Sequence, residues 1–299
     1  MNFQQLRALR ETARRDLNLT NAAQILHTSQ PALSKQIREL EDELGVALFV
    51  RRGKKLAAMT EAGVRVLEIA NRLLGDAQNI RRVSAEFANG ETGTLTIAAT
   101  HTQARYALPR RLARFRAEFP RIRLRLHQGN PHEVAEFVAH GDATFGFATE
   151  SLADHPGLIT HAIYTWRHCV VVPDGHPLSR SGAIGLRTLA AHPIVTYTPE
   201  FAGRRKVDQA FVASGLHPEI ALEAIDSDVI KEYVSLGVGV GLIAEIAYDI
   251  ARDTGLVRVE LDEPLPANVA RVATRAGVAL RGFERRFLAL VLEASGPRG

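Results

Sequence analysis

The order of apolar and polar positions divides the chain into a helical first third and a remainder in which short apolar runs alternate with helical stretches. Phe3, Leu6, Leu9 and Ala13 recur at helical spacing and predict a first helix over Asn2 to Arg14. A second helix is expected from Asn21 to His27, capped by Thr20 and carrying the small pair Ala22-Ala23, which lets a following helix approach closely. Thr28-Ser29 marks a tight turn. Ser29 is expected to cap a third helix, with Pro31 accepted in its first turn, where an early N–H has no intrahelical partner. Leu33, Ile37, Leu40 and Leu44 then fall on one stripe that predicts burial. Gln30, Ser34 and Arg38 occupy a different face, with Lys35 beside them.

Two short helices packed across a three-residue turn, the second presenting Gln, Ser, Lys and Arg outward, form a unit that docks into a DNA major groove. Gln pairs with adenine, Arg with guanine, and Ser with a base edge or a phosphate. Thr20, Ser29 and Pro31 at the helix starts join Gln30, Ser34, Lys35 and Arg38 as expected DNA contacts. A plain amphipathic helix with a wet polar face would share part of this pattern. The joint occurrence of turn, caps, small pair and a basic wing favours the DNA reading. That wing is Phe49 to Leu56, two short extended runs around Gly53, in which Arg51, Arg52, Lys54 and Lys55 are expected to contact phosphates. Thr60 caps a helix running to about Ala88, much longer than the mean of roughly 11–12 residues. Val66, Ile69, Leu73, Ile80, Val83 and Phe87 fall on a 3-4 repeat interrupted at Asp76. Such a seam predicts pairing with a second copy, packing on its own chain being the alternative, and a dimer would present two recognition helices to a pseudo-palindromic site.

Charge sharpens this division. Residues 1–90 hold 14 Lys and Arg against 10 Asp and Glu, whereas residues 91–299 hold 23 of each, so the whole excess of +4 lies in the first third. A basic end on a neutral body suits a polyanionic partner there. With 299 residues, 46% hydrophobic and 23% charged, the chain is long enough for two or three globular domains. No run approaches the roughly 20 apolar residues of a membrane span, and the first residues lack a signal-peptide core. A cytoplasmic protein without membrane attachment is therefore expected. The single Cys169 agrees, since it provides neither an internal disulfide nor a multi-cysteine metal site.

From Gly93 the apolar runs are strand-like. Gly93–Thr100, Arg121–Leu126, Thr144–Thr149, Cys169–Val172, Ile194–Tyr197, Ile220–Ala224, Leu256–Val259 and Asn268–Thr274 predict strands. Helices are expected from His101 to Glu118 and over His132–Ala139, Lys206–Ala213, Asp228–Leu236 and Phe283–Leu292. This alternation implies a mostly parallel sheet, with a ligand at the carboxyl ends of strands beside helix N-termini. Thr100, Thr102 and Gln103 stand where the first strand becomes the first helix. Thr149 ends the third strand, and Thr198 follows the Ile194–Tyr197 strand. Each one alone reads as a capping residue. Together these donors suit a small oxyanion or an acylated amino acid.

The runs Thr20-Asn21-Ala22-Ala23, Ser29 to Ile37, Leu40 to Gly45, Leu48-Phe49 and Thr60 to Gly63 resemble the LysR-type transcriptional regulators, and the likeness covers essentially the whole chain. Within that family the chain is similar to the CysB branch of cysteine and sulfur-assimilation regulators. The runs that carry this are Thr100 to Pro109, His127-Gln128-Gly129, Ala148-Thr149-Glu150, Val195 to Thr198 and Asp228 to Lys231. The resemblance implies a winged helix-turn-helix over 1–59, a linker and dimerisation helix over 60–89, and an α/β effector domain over 90–299 built like a periplasmic binding protein. Its first subdomain would comprise about 90–163 and 267–299, its second about 164–266, with crossings near 161–167 and 264–268. Gln128 joins the expected effector contacts. Ala202 does so as well, although the branch carries Thr there, which bears on the ligand's identity. The chain ends at Gly299 without the C-terminal extension of longer branch members, a difference bearing on assembly or regulation.

Enzymatic chemistry is not expected. There is no Gly-x-Ser-x-Gly elbow. His132-Glu133-Val134-Ala135-Glu136 lacks the closing His of a zinc motif, so no metal or cofactor is expected. Gly237 to Gly241 follows a helix and leads into a strand, the reverse of a dinucleotide loop. Cys169 reads as a small buried hydrophobe. The expected function is a LysR-type regulator of sulfur assimilation and cysteine biosynthesis, a homodimer or homotetramer on promoter DNA that contacts RNA polymerase. Its effector would be sulfate, thiosulfate, O- or N-acetylserine, or adenosine phosphosulfate. A regulator of another pathway and a solute-binding protein are the alternatives; the helix-turn-helix opposes the second.

Overall fold

The computed structural model describes residues 1–53, 55–89 and 92–293. It forms two compact units, Met1–Ala88 with Gly277–Ala279 and Asn89–Ala276 with Leu280–Gly299.

In the first unit, α1 (Phe3–Arg14) starts at a capping box: Asn2 Oδ1 accepts the Gln5 N–H at 3.0 Å and Gln5 Oε1 accepts the Asn2 N–H at 2.9 Å. Leu6 and Leu9 are buried, whereas Phe3 is exposed. The second helix, α2 (Leu19–Ile25), begins two residues earlier than its sequence signals predict. Asn18, not Thr20, is its cap and accepts the N–H groups of Thr20 and Asn21 at 3.0 and 3.1 Å. Asp16 and Leu17 take positive φ angles of 49° and 63°, which completes the turn before Asn18. Ser29 caps α3 (Gln30–Leu44) through a 3.3 Å bond from the Ala32 N–H, and Gly45, at φ 69°, ends it. Leu33, Ile37 and Leu40 pack with Leu6, Leu9, Ala22 and Ala23, while Leu44 is exposed. β1 (Phe49–Arg52) and β2 (Lys55–Met59) form the antiparallel wing, turning at Gly53. In α4 (Glu61–Asn89), Thr60 Oγ1 accepts the Gly63 N–H at 2.9 Å and donates to the Ala47 carbonyl at 2.7 Å.

The second unit contains two five-stranded sheets. The strands of the first are β3 (Gly93–Ala99), β4 (Ile122–Gln128), β5 (Phe145–Ala148), β6 (Leu158–Trp166) and, after the second sheet, β12 (Asn268–Arg275). Between β3 and β4 lie a π turn (Gln103–Ala107) and α5 (Leu108–Glu118), and α6 (Pro131–Ala139) precedes β5. The second sheet collects β7 (His168–Pro173), β8 (Ile194–Tyr197), β9 (Ile220–Ala224), β10 (Val240–Ala244) and β11 (Leu256–Val259). Its helices are α7 (Leu186–Leu189), α8 (Ala202–Ala213) and α9 (Ser227–Ser235), and α10 (Gly282–Glu293) closes the unit on the first sheet.

Strand orders are β4-β3-β5-β12-β6 and β11-β7-β10-β8-β9. Both sheets are mixed rather than mostly parallel. β3 runs parallel to β4 and β5, and β8 to β9 and β10, but β12 is antiparallel to β5 and β6, as β7 is to β10 and β11. The antiparallel members, β7 and β12, are the strands the chain enters directly from a passage between sheets, and each lies one place in from the edge strand, β11 or β6. The outward passage is the single residue Arg167, and the return lies between Val259 and Asn268. β6 is a strand absent from the sequence reading. Its alternation is diluted by polar positions facing solvent, as expected for an edge strand. The first sheet's core centres on Phe115, Phe145, Phe147 and Phe287.

Candidate functional site

The first unit brings several of the expected DNA contacts onto one surface. Gln30, Pro31, Lys35 and Arg38 are exposed on α3, Thr20 on α2, and Arg52 and Lys55 on the wing. Thr20, Gln30 and Lys55 line one concavity of about 370 Å³ together with Asn18 and Leu56. Ser34 departs from the expectation: it is 8% exposed, and its hydroxyl accepts Arg38 Nη2 at 3.3 Å. One turn apart on the same helix, Ser34 lies under the Arg38 side chain and steers it. Arg51 is also committed elsewhere, pairing with Glu41 at 2.8 Å. The same Glu41 carboxylate accepts the Leu48 and Phe49 N–H groups at 2.9 and 3.1 Å, so it anchors the wing to α3. Lys54 lies outside the described residues. Glu41 lies within the Leu40 to Gly45 run, but its anchoring role was not legible there, because it depends on backbone N–H groups seven and eight residues away.

On α4 the predicted seam is exposed at Ile69, Leu73, Ile80 and Val83, joined by Val64, while Ala70 and Leu74 turn to the helix-turn-helix core. The Phe87 side chain lies outside the described residues.

In the second unit a cavity of about 20 Å³ lies between the two sheets. Its lining contains Thr100, Thr102, Gln103 and Thr149 from the first sheet's strand ends, as the sequence predicts, and also Trp166, His168, Tyr197, Phe201 and Gly203. The wall is rich in polar atoms without protein partners: Thr149 Oγ1, Trp166 Nε1 and both ring nitrogens of His168 are buried and unbonded within the protein. A buried polar group without any partner costs about 1–3 kcal/mol, so four such atoms around one cavity make it the candidate ligand site. Gln103 adds its amide N–H, because its Oε1 is taken by the Tyr164 hydroxyl at 2.8 Å. α8 starts at Ala202 without a side-chain cap, leaving helix N–H groups beside Phe201 and Gly203. Two expected contacts are not brought in. Gln128 is exposed at the end of β4, the outer strand of its sheet, and Thr198 lies past the end of β8, outside the lining. The side chain of Ala202 lies outside the described residues.

Electrostatics in the cavity follow from burial. Full enclosure, with the nearby Lys206 charge, pushes His168 down to about 3, so its ring is neutral. Burial also raises the Tyr197 phenol, whose oxygen accepts the Ala244 N–H at 3.0 Å and lies 2.6 Å from Ser227 Oγ. Beside the cavity, Thr102 Oγ1 reaches Ser227 Oγ at 3.4 Å, and two residues on the π turn bond α9 on the opposite sheet. Tyr106 donates to Asp228 Oδ1 at 2.5 Å, and Arg105 pairs with Asp228 Oδ2 at 2.9 Å. Lys231 reaches Asp253 at 2.7 Å, Asp228 at 3.0 Å and Tyr106 Oη at 3.2 Å.

Residues 3–64 match the bacterial regulatory helix-turn-helix protein, lysR family, and residues 88–296 match the LysR substrate binding domain. The chain belongs to the LysR family. This LysR-family chain is 48% identical over 288 residues to the HTH-type transcriptional regulator SsuR of Burkholderia cenocepacia, covering 96% of its own length and 94% of that protein. It is 46% identical to the HTH-type transcriptional regulator CysB of the same organism, covering 95% of itself and 90% of the relative. The crystal structure of the cofactor-binding domain of the Cbl transcriptional regulator matches with a TM-score of 0.66 at 39% identity, over 70% of this chain and 91% of that one. The LysR family consists of transcriptional regulators that bind promoter DNA and small-molecule effectors and assemble as oligomers. Among the described residues no helix is long and apolar enough to cross a membrane, and no cluster of three metal-ligating side chains occurs.

Proposed function

We propose that this LysR-type regulator controls sulfur-assimilation and cysteine-biosynthesis genes in response to a small anion held between its two sheets. Residues 1–59 bind promoter DNA, residues 60–89 pair protomers, and residues 90–299 sense the effector. The protein works in the cytoplasm as a homodimer or homotetramer, without catalysing a reaction, and contacts RNA polymerase from the promoter. Gln30 and Arg38 read base edges, with Ser34 orienting Arg38, and Lys35, Arg52, Lys54 and Lys55 neutralise phosphates. The likeness to SsuR and CysB supports the pathway.

One observation carries the effector site: Thr149 Oγ1, Trp166 Nε1 and His168 are buried without partners around one cavity. A cavity of about 20 Å³ exceeds the space of one water by little, so a compact oxyanion such as sulfate or thiosulfate fits with the least opening. An acylated serine or adenosine phosphosulfate requires the sheets to part. Any effector acts through unequal affinity for two arrangements of the protein, so its binding shifts a hinge or an assembly equilibrium.

Ala202 favours a second reading, in which the same site serves another pathway's metabolite, because the resembling branch carries the hydroxyl of Thr at this first residue of α8. A thermal-shift series on the full chain separates the two. Sulfate, thiosulfate, O-acetylserine, N-acetylserine and adenosine phosphosulfate are compared with sulfur-free carboxylates. Saturable stabilisation by a sulfur compound is expected. Stabilisation confined to the carboxylates would overturn the pathway assignment.

A further inference from the structure

We propose that His168 makes this site selective for the charge of its ligand, taking up a proton as a divalent oxyanion enters and so favouring dianions over monoanions of equal size. The inference rests on the reading of the cavity as the effector site and assigns one of its lining residues a role of its own.

His168 opens β7, opposite Ala244 of β10. Its ring lies 5.0 Å from that of Trp166 and 6.0 Å from that of Tyr197, with Gly203 against its edge. Neither Nδ1 nor Nε2 has a partner within the protein, although the residue is 95% enclosed. A neutral imidazole has one N–H and one bare lone pair, and an imidazolium has two N–H groups and a positive charge. The neighbouring cavity atoms, Trp166 Nε1 and the Gln103 amide nitrogen, are donors. An oxyanion completes such a wall, and protonation turns the remaining lone pair of His168 into another donor.

The surrounding charges leave this step to the ligand. Tyr197 engages Ser227 and the Ala244 amide, and the buried thiol of Cys169 is pushed up to about 12. Arg204 of α8 is paired with Asp208 and Glu223, and Glu245, after β10, accepts the Arg167 N–H. The charge that His168 feels is that of Lys206, which, with burial, keeps the free ring neutral. A bound anion supplies the opposite charge at short range in a medium of low polarity, and it raises the ring's proton affinity in proportion to its own charge. A dianion therefore gains an ion pair that a monoanion attracts half as strongly.

Linkage fixes the sign. Between the low proton affinity of the free ring and the raised one of the complex, each bound anion carries in about one proton. Affinity then falls by up to tenfold for each unit of rising pH and levels off above the pKa of the complex. The test is calorimetric titration of the full chain with inorganic sulfate, which stays fully ionised from about pH 5.5 to 8, in buffers of different ionisation enthalpy. Wild-type protein is expected to take up close to one proton per sulfate. His168→Gln keeps a donor and an acceptor but cannot titrate, and is expected to bind sulfate with no proton uptake and a flat pH profile. Sulfate binding without proton uptake by the wild type would overturn the role of His168 and leave the effector site standing. So would uptake that persists in His168→Gln. Absence of sulfate binding at every pH would overturn both. The wild-type proton count decides the matter even if the variant fails to fold.

Discussion

Tyr106 donates its phenolic hydrogen to Asp228 across 2.5 Å, tying the π turn of the first sheet to α9 of the second. Arg105 and Lys231 complete the contact, and the turn that carries Tyr106 begins with the cavity residue Gln103. A π turn widens the helix by one residue and is often found at functional sites. Here a single turn places Gln103 at the cavity and Arg105 and Tyr106 in the bridge between sheets.

That bridge predicts a pH dependence. Burial raises the Asp228 carboxyl, but hydrogen bonds from Tyr106 and Lys231, with the Lys231 and Arg105 charges, leave it below the ordinary range. A depressed carboxyl contributes stability above its unfolded pKa of about 3.9 and loses it as pH falls through the lower folded value. Asp228→Asn is expected to lower the urea midpoint at neutral pH, with the gap to wild type closing in acid. Tyr106→Phe should cost about 1 kcal/mol at pH 7, because Asp228 is partly exposed and its pairs are screened. An unchanged midpoint in both variants would remove the bridge from the account.

Gly203 is needed for space rather than for backbone freedom. A Cβ there would stand 2.8 Å from His168 Cε1 and 3.1 Å from Trp166 Cη2, both on the cavity wall. Gly203→Ala is expected to cost about 1–3 kcal/mol and to abolish stabilisation by sulfate. Thermal melts with and without sulfate measure both effects, and a variant that keeps the full sulfate shift would contradict this packing argument.

For DNA, Gln30→Ala should reduce preference for the cognate promoter by about 1–3 kcal/mol while most non-specific binding remains. Lys55→Ala should weaken every sequence alike and reduce the salt slope by about one. Competition binding at several salt concentrations separates the two, and a uniform loss in Gln30→Ala would take that residue out of base recognition.

Ile80 is 71% exposed on α4, in line with Leu73 and Val83 on the predicted seam. Ile80→Asp places a charge on that seam and is expected to shift sedimentation toward monomer without loss of helical circular dichroism. An unaltered sedimentation profile would place the protomer contact elsewhere.

Local patterns in the sequence announced much of this architecture. Ile194–Tyr197, Ile220–Ala224 and Leu256–Val259 are strands with the predicted limits, since short β-branched runs between turns have no competing helical period. Thr100, Thr102, Gln103 and Thr149 were legible because strand ends before helices are places where donors gather. Trp166 and His168 were not, because they reach the cavity only through the pairing of β6 with β12 and of β7 with β10, which no local pattern encodes. Ser34 misled for the opposite reason. Helical spacing places it with Gln30 and Arg38, but the residue is small enough to be covered by Arg38.

The passage between sheets at Arg167 is one residue long, and the residues on either side of it, Trp166 and His168, both line the cavity. A ligand held in that cavity would sit at the fulcrum of the two sheets rather than at their rims. Near a fulcrum displacements are small, so a change of a fraction of an ångström in the distance between those two rings corresponds to a wide swing of the outer strands. Seating a compact ion there would convert a tight local fit into leverage, and would make ligand size the natural control over how far the halves turn.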